Sequence, residues 1–203
     1  MTIISSLTSS LLTSKTYLIE ANHNCVIIID PGDPDISELL HRLCLTSRKS
    51  IKVLLTHEHA DHCAGLSALY AVKKFELFCT LKVAENLSDN KRNLSKYLPN
   101  IGAFEVNLPV TIIADSHKLN ICNLDFTFIE TPGHSPGSIC IFFNNSVFTG
   151  DTILNNTKTP LNLPLSDKNL YMHSIQKLEK LLRSGMTIYP GHGEPFIWNG
   201  VFP

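Results

Sequence analysis

VLLTHEHADHCAG, residues 53–65, sets three histidines and two acids within six positions directly after an apolar run. The run 51–56, IKVLLT, reads as a short strand buried on both faces. His57 and His59 are two apart on extended chain, so both can point to one side and chelate one ion. Asp61 and His62 fall where a helix would start, displaced toward a second ion. Glu58 and Ala60 then point away, which makes Glu58 a spacer. A lone histidine beside a strand is usually structural, but crowding three imidazoles and a carboxylate is costly without a cation.

Three further stretches repeat one design, a hydrophobic strand followed by a glycine-containing loop with a metal-capable side chain. They are FIETPGHSPGS with His134, VFTGDTI with Asp151, and IYPGHGEP with His192. Loops at strand ends are where a rigid scaffold presents reactive groups. The full inventory is five histidines and two aspartates. That exceeds one tetrahedral zinc and suits two metals roughly 3.5–4 Å apart.

Outward from these loops, the chain reads as strands and helices in alternation. Strands are expected at 15–21, 25–30, 51–56, FELFCTL, VTIIA, KLNI, LDFTFIET, SICIFF, SVFTGD and MTIYPGHG. Asn144 and Asn145 turn the hairpin between SICIFF and SVFTGD. Ile36, Leu39, Leu40, Leu43 and Cys44 outline a helix, and a second is expected from about His62 to Lys74. Leu170, Ile175, Leu178, Leu181 and Leu182 outline another, N-capped by Ser166 and stopped at Gly185. The segment 84–100 fits a helical excursion or a loop. Two groups of strands with interspersed helices suggest a layered α/β domain.

Composition agrees: 203 residues, 43% hydrophobic and 17% charged, read as one globular domain spanning 1–203. A net charge of −1 gives no footprint for nucleic acid or an anionic membrane, so neither is expected as a partner. The N-terminal MTIISSLTSSLLTSK lacks a basic start, and no apolar run approaches a membrane span. Cys25, Cys44, Cys63, Cys79, Cys122 and Cys140 lack a C-x-x-C spacing and read as buried reduced thiols, hence a cytoplasmic location. His23, His41, His117 and His173 read as surface or structural. Lys158 reads as a solvated loop lysine, and Phe196 and Trp198 either line a pocket mouth or seal the C-terminus.

The motifs together resemble the metallo-β-lactamase fold superfamily, and within it the glyoxalase II-like (hydroxyacylglutathione hydrolase-like) hydrolases. THEHADHCAG is similar to T-H-x-H-x-D-H-x-x-G; TPGHSPGS, FTGDT and YPGHG follow in family order, and IIIDPG (27–32) precedes them. The resemblance implies a four-layer αββα sandwich with its metal site along the edge where two sheets meet. It implies that His57, His59 and His134 hold one metal and that Asp61, His62 and His192 hold the other. Asp151 bridges them, and Asp61 also orients the nucleophile. Zinc is the default for so imidazole-rich a set, with iron or manganese as alternatives. The activity implied is hydrolysis by a hydroxide shared between two divalent ions, on a thioester presented as a small molecule or on a carrier. The chain departs from glyoxalase II in lacking its C-terminal helical extension and the usual Gly-Arg after Asp151. Alternative readings are a mononuclear-iron persulfide dioxygenase, a lactonase, and a non-catalytic binding member of the fold.

Overall fold

The run Cys25–Ile29 is buried at every position and its side chains sort by parity. Val26 and Ile28 pack with one apolar cluster, Ile27 and Ile29 with another. A strand covered on both faces must lie inside a layered structure. The computed structural model describes residues 2–22, 24–43 and 50–202. His23 and Cys44 lie outside the described residues.

One sheet comprises β1 (Ile3–Thr8), β2 (Lys15–Asn22), β3 (Cys25–Ile29), β4 (Ser50–Leu54), β5 (Glu76–Thr80) and β6 (Val110–Ile113), in that spatial order. The other comprises β7 (His117–Ile121), β8 (Leu124–Glu130), β9 (Ile139–Phe143), β10 (Ser146–Gly150), β11 (Thr187–Pro190) and β12 (Phe196–Ile197), ordered β12-β11-β10-β9-β8-β7. From β3 to β6 neighbouring strands are parallel. Parallel neighbours require crossovers. These carry α1 (Ser37–Leu43), α2 (Ala60–Cys63), α3 (Leu66–Val72) and α4 (Leu81–Leu87). Leu39, Leu43, Leu66, Leu69, Val83 and Leu87 from these helices pack on that sheet's outer face. On the second sheet β10 and β11 are parallel, and their connection carries α5 (Lys168–Glu179). Leu178 of α5 and Leu182 beyond it join Val147, Ile188 and Trp198 on its outer face.

Between the sheets, Tyr17, Ile27 and Phe78 meet Phe126, Phe128 and Phe148. Phe126 and Phe143 stack at 5.0 Å between ring centroids. The fold is the mixed αββα sandwich that the sequence implies. The strand ends that carry the glycine loops lie together along one edge. Backbone and side-chain bonds tie them across the sheets: Ile139 N to Thr56 O at 2.8 Å, Lys15 N to Gly191 O at 2.7 Å, and Tyr17 Oη to Pro190 O at 2.7 Å. Among the described residues no helix is long and apolar enough to cross a membrane.

Several local expectations need correction. The helix expected from His62 to Lys74 is two short helices that start at Ala60 and break around Gly65. The α5 N-cap is Asp167, whose carboxylate accepts from Asn169 N and Leu170 N, because the Ser166 hydroxyl donates instead to His134 O. Helix α5 ends at Glu179, ahead of Gly185. Strands β1 and β12 were not foreseen. Cys25 and Cys122 form a disulfide, with Cα atoms 6.0 Å apart, where thiols were expected. The two are 97 residues apart and meet only when the start of β3 reaches the β7–β8 turn. Cys63, Cys79 and Cys140 are free and buried.

Candidate metal centre

β4 ends at Leu54, and the chain runs extended to His59 (φ −61°, ψ 147°) before α2 begins. His57 and His59 therefore face the same side, with ring centroids 4.7 Å apart. The turn after β8 brings His134, whose Nε2 is 3.0 Å from His59 Nδ1. These three imidazoles are buried and form one group of inward-facing nitrogens. The first turn of α2 supplies Asp61 and His62, and the loop after β11 supplies His192, whose Nε2 is 3.1 Å from Asp61 Oδ2. Asp61, His62 and His192 form a second group. Asp151, directly after β10, stands between the two. Its Oδ2 is 3.5 Å from both His134 Nε2 and His192 Nε2, and its Oδ1 is 3.5 Å from His62 Nε2. All seven residues singled out in the sequence thus converge.

Two glycines permit this approach. Gly150 has φ +48°, and a Cβ there would press on the Thr56 side chain at 2.5 Å. At Gly191 a Cβ would occupy the space of the Asp151 carboxylate and the His62 ring.

The donor set fits a metal by its hydrogen bonds. His62 Nδ1 faces the Asp30 carboxylate at 3.0 Å, and His134 Nδ1 faces the Pro160 carbonyl at 2.9 Å. Both partners can only accept, so each Nδ1 donates, and in the neutral ring the lone pair falls on Nε2. His57 Nδ1 is occupied by Thr56 Oγ1 at 3.1 Å. Among the described residues, His57 Nε2, His62 Nε2 and Asp151 Oδ1 are buried without a hydrogen-bond partner. Such orphans are expensive, and cations between the two groups would satisfy all three.

The electrostatics agree. Burial, reinforced by neighbouring imidazoles, holds His57 and His59 well below the usual histidine range, as neutral rings able to take a metal. Burial opposes a charge on His62, yet the Asp61, Asp151 and Asp30 carboxylates push it up to about 10. Burial would raise Asp61, but His62 and His192 more than offset it and keep the carboxylate ionised. The three carboxylates draw positive charge to this spot.

A family model described as the metallo-beta-lactamase superfamily matches residues 10–192. The chain belongs to the metallo-beta-lactamase superfamily. A probable metallo-hydrolase of Methanocaldococcus jannaschii is 32% identical over 187 residues, which is 90% of this chain and 88% of that protein. A hydroxyacylglutathione hydrolase of Klebsiella pneumoniae is 26% identical over 137 residues, 68% of this chain and 46% of that protein. The crystal structure of BLEG-1 B3 metallo-beta-lactamase shares the fold with a TM-score of 0.87 at 23% identity, over 96% of this chain and 94% of that one. The chain is a metallo-hydrolase of this superfamily with a His/Asp cluster suited to divalent metal.

Two functional residues were missed in the sequence of this superfamily member. Asp30, within IIIDPG, orients His62 and also accepts from Thr56 N at 2.8 Å. Its signal in the sequence is the IIIDPG stretch, an acid directly after a buried strand, with nothing that names His62 as its partner. Glu58 does point away from the centre, but it is more than a spacer. Its buried carboxyl, raised by burial, accepts from Asn86 Nδ2 at 2.7 Å and Ser135 Oγ at 2.9 Å, so it ties the His59 loop to the His134 loop. Cys63 is a packing thiol whose Sγ donates to Glu58 O. His41, His117 and His173 are exposed, as expected. Trp198 seals the second sheet against Phe202 and stays out of the site.

Proposed function

We propose that the chain hydrolyses thioesters with two divalent cations, zinc by default, held in the cluster. His57, His59 and His134 would hold one cation and Asp61, His62 and His192 the other, with Asp151 placed between the two groups. When bound, two such cations would supply hydroxide near neutral pH and polarise a carbonyl. The carrying observation is Asp151: one carboxylate oxygen lies at the same 3.5 Å from a histidine of each group.

The chain's own residues supply the rest. Asp61 orients the attacking water, and Asp30 and Pro160 fix the ring orientations of His62 and His134. Among the described residues, the cavity above the cluster is lined by no lysine that could protonate a leaving group. A thiolate, with a pKa near about 8.5, departs without one. The hydroxyacylglutathione hydrolase relative supports the same bond class. The substrate is a small molecule or a carrier-bound acyl group, and nucleic acid and membrane are not partners.

Metal analysis of the purified protein beside a panel of thioesters, lactones and glutathione persulfide tests this. About two metal equivalents and thioester turnover are expected. One tightly bound iron with sulfite formed from the persulfide would overturn it, as would turnover of lactones alone.

A further inference from the structure

His59, Asp61, His134, Asp151 and His192 form the floor of a cavity of about 560 Å³. That volume suits a small-molecule site. The walls have a different chemistry. Leu12 comes from the β1–β2 connection, Leu94, Tyr97 and Leu98 from the segment after α4, and Leu154 and Leu163 from the loop after β10. Lys96 and Lys158, next in sequence to Tyr97 and Thr157 of the lining, are exposed and take no part in it. A glutathione thioester would bring carboxylates to walls that, among the described residues, carry no Lys or Arg.

Backbone conformation shows that the leucines are held there against local preference. Leu94 has φ +66° and Leu12 φ +53°, the left-handed region that favours Gly, Asn or Asp. Leu94 lies between Asn93 and Ser95, whose buried side chains both bond to Phe104 O, at 2.9 and 3.0 Å. With both neighbours turned inward, Leu94 is left to the cavity. Across from it, the Leu154–Leu163 loop is anchored to the metal centre through Pro160 O and His134 Nδ1. Leu12 and Tyr97 are each 56% exposed at the rim, apolar surface that a ligand would cover.

We infer that the acyl group of the substrate is apolar and uncharged, a linear chain lying between the Leu94–Leu98 wall and the Leu154–Leu163 wall with its carbonyl over the metal floor. This deepens the thioesterase reading and rests on it.

The test assays the metal-loaded protein with N-acetylcysteamine thioesters from acetyl to octanoyl, beside S-lactoylglutathione. Expected is a rise in kcat/KM of roughly threefold to fourfold for each methylene that enters the walls. Octanoyl should exceed the glutathione thioester by at least about tenfold. Leu94→Asn tolerates the left-handed backbone, so its Tm should hold while the dependence on chain length flattens. Leu12→Asn is the second variant should Leu94→Asn fold poorly. Turnover with no dependence on chain length overturns this inference and leaves the thioesterase reading standing. Absence of turnover with every thioester sinks that reading, and the walls are then read by calorimetric titration of octanamide against acetamide. Tighter octanamide binding with a negative heat-capacity change, weakened in Leu94→Asn, supports the apolar site, and equal binding of the two amides overturns it.

Discussion

His62 Nδ1 stands 3.0 Å from Asp30 Oδ2, with both side chains buried. The same carboxylate accepts from the Thr56 amide and hydroxyl, so one acid holds both a ligand ring and the loop that precedes His57. Asp30→Asn preserves the shape but replaces an acceptor oxygen with a donor. Metal affinity should fall roughly 10–100-fold in a chelator competition. Unchanged affinity with a native circular dichroism spectrum would mean that Asp30 does not orient His62.

Asp151→Ala removes a carboxylate that stands between the two groups. It should lower metal content from about two equivalents toward one and reduce kcat roughly a thousandfold or more. Full activity in this variant would sink the bridged arrangement.

Gly150→Ala probes the turn that delivers Asp151. A side chain at φ +48°, pressed against Thr56, should cost about 1–3 kcal/mol. For a chain of this size that is a fall in Tm of roughly 2–12 °C. A Tm equal to that of the parent would show that the turn relaxes freely.

The candidate site was legible because its histidines and aspartates sit at strand ends or helix starts, where local pattern and tertiary placement coincide. His57 and His59 needed only extended chain, and Asp61 and His62 only the first turn of α2. Asp30 was not legible, because its partners are set by the parallel pairing of Ile29 with Leu54, which puts Thr56 within reach across 26 positions. The Cys25–Cys122 pair is hidden for the same reason at greater range. Ser166 and Asp167 are both competent caps, and only the position of His134 O decides between them. In β1, IISSLT, the serines break the apolar alternation of an edge strand. The leucines of 84–100 looked scattered because Leu87 ends α4 and packs on the sheet, while Leu94 and Leu98 beyond the helix line the cavity.

The free thiols should be chemically silent in the folded protein. Burial pushes Cys79 and Cys140 up to about 12, and the thiolate is the reactive form. Iodoacetamide at pH 8 should leave both unmodified in the native state and label both after denaturation, read by mass spectrometry. Rapid native labelling of either would place that strand at the surface.

Asp115 follows β6, and its carboxylate receives Lys177 Nζ of α5 at 2.6 Å and Glu130 N at 2.8 Å. Burial would raise its pKa, but the Lys177 ammonium and the Glu130 amide outweigh it and hold it below the usual aspartate value. A depressed folded pKa means the folded state favours the ionised form. Its stabilisation is therefore complete above the unfolded value of about 3.9 and is lost as pH falls through the folded one. The pair is partly exposed, 36% for Lys177 and 43% for Asp115, so its worth is at most about 1 kcal/mol. Asp115→Asn should lower the urea midpoint at pH 7. The gap to the parent should narrow below about pH 4 and close at lower pH. A gap constant from pH 7 down to pH 3 would show that the Asp115 charge contributes nothing.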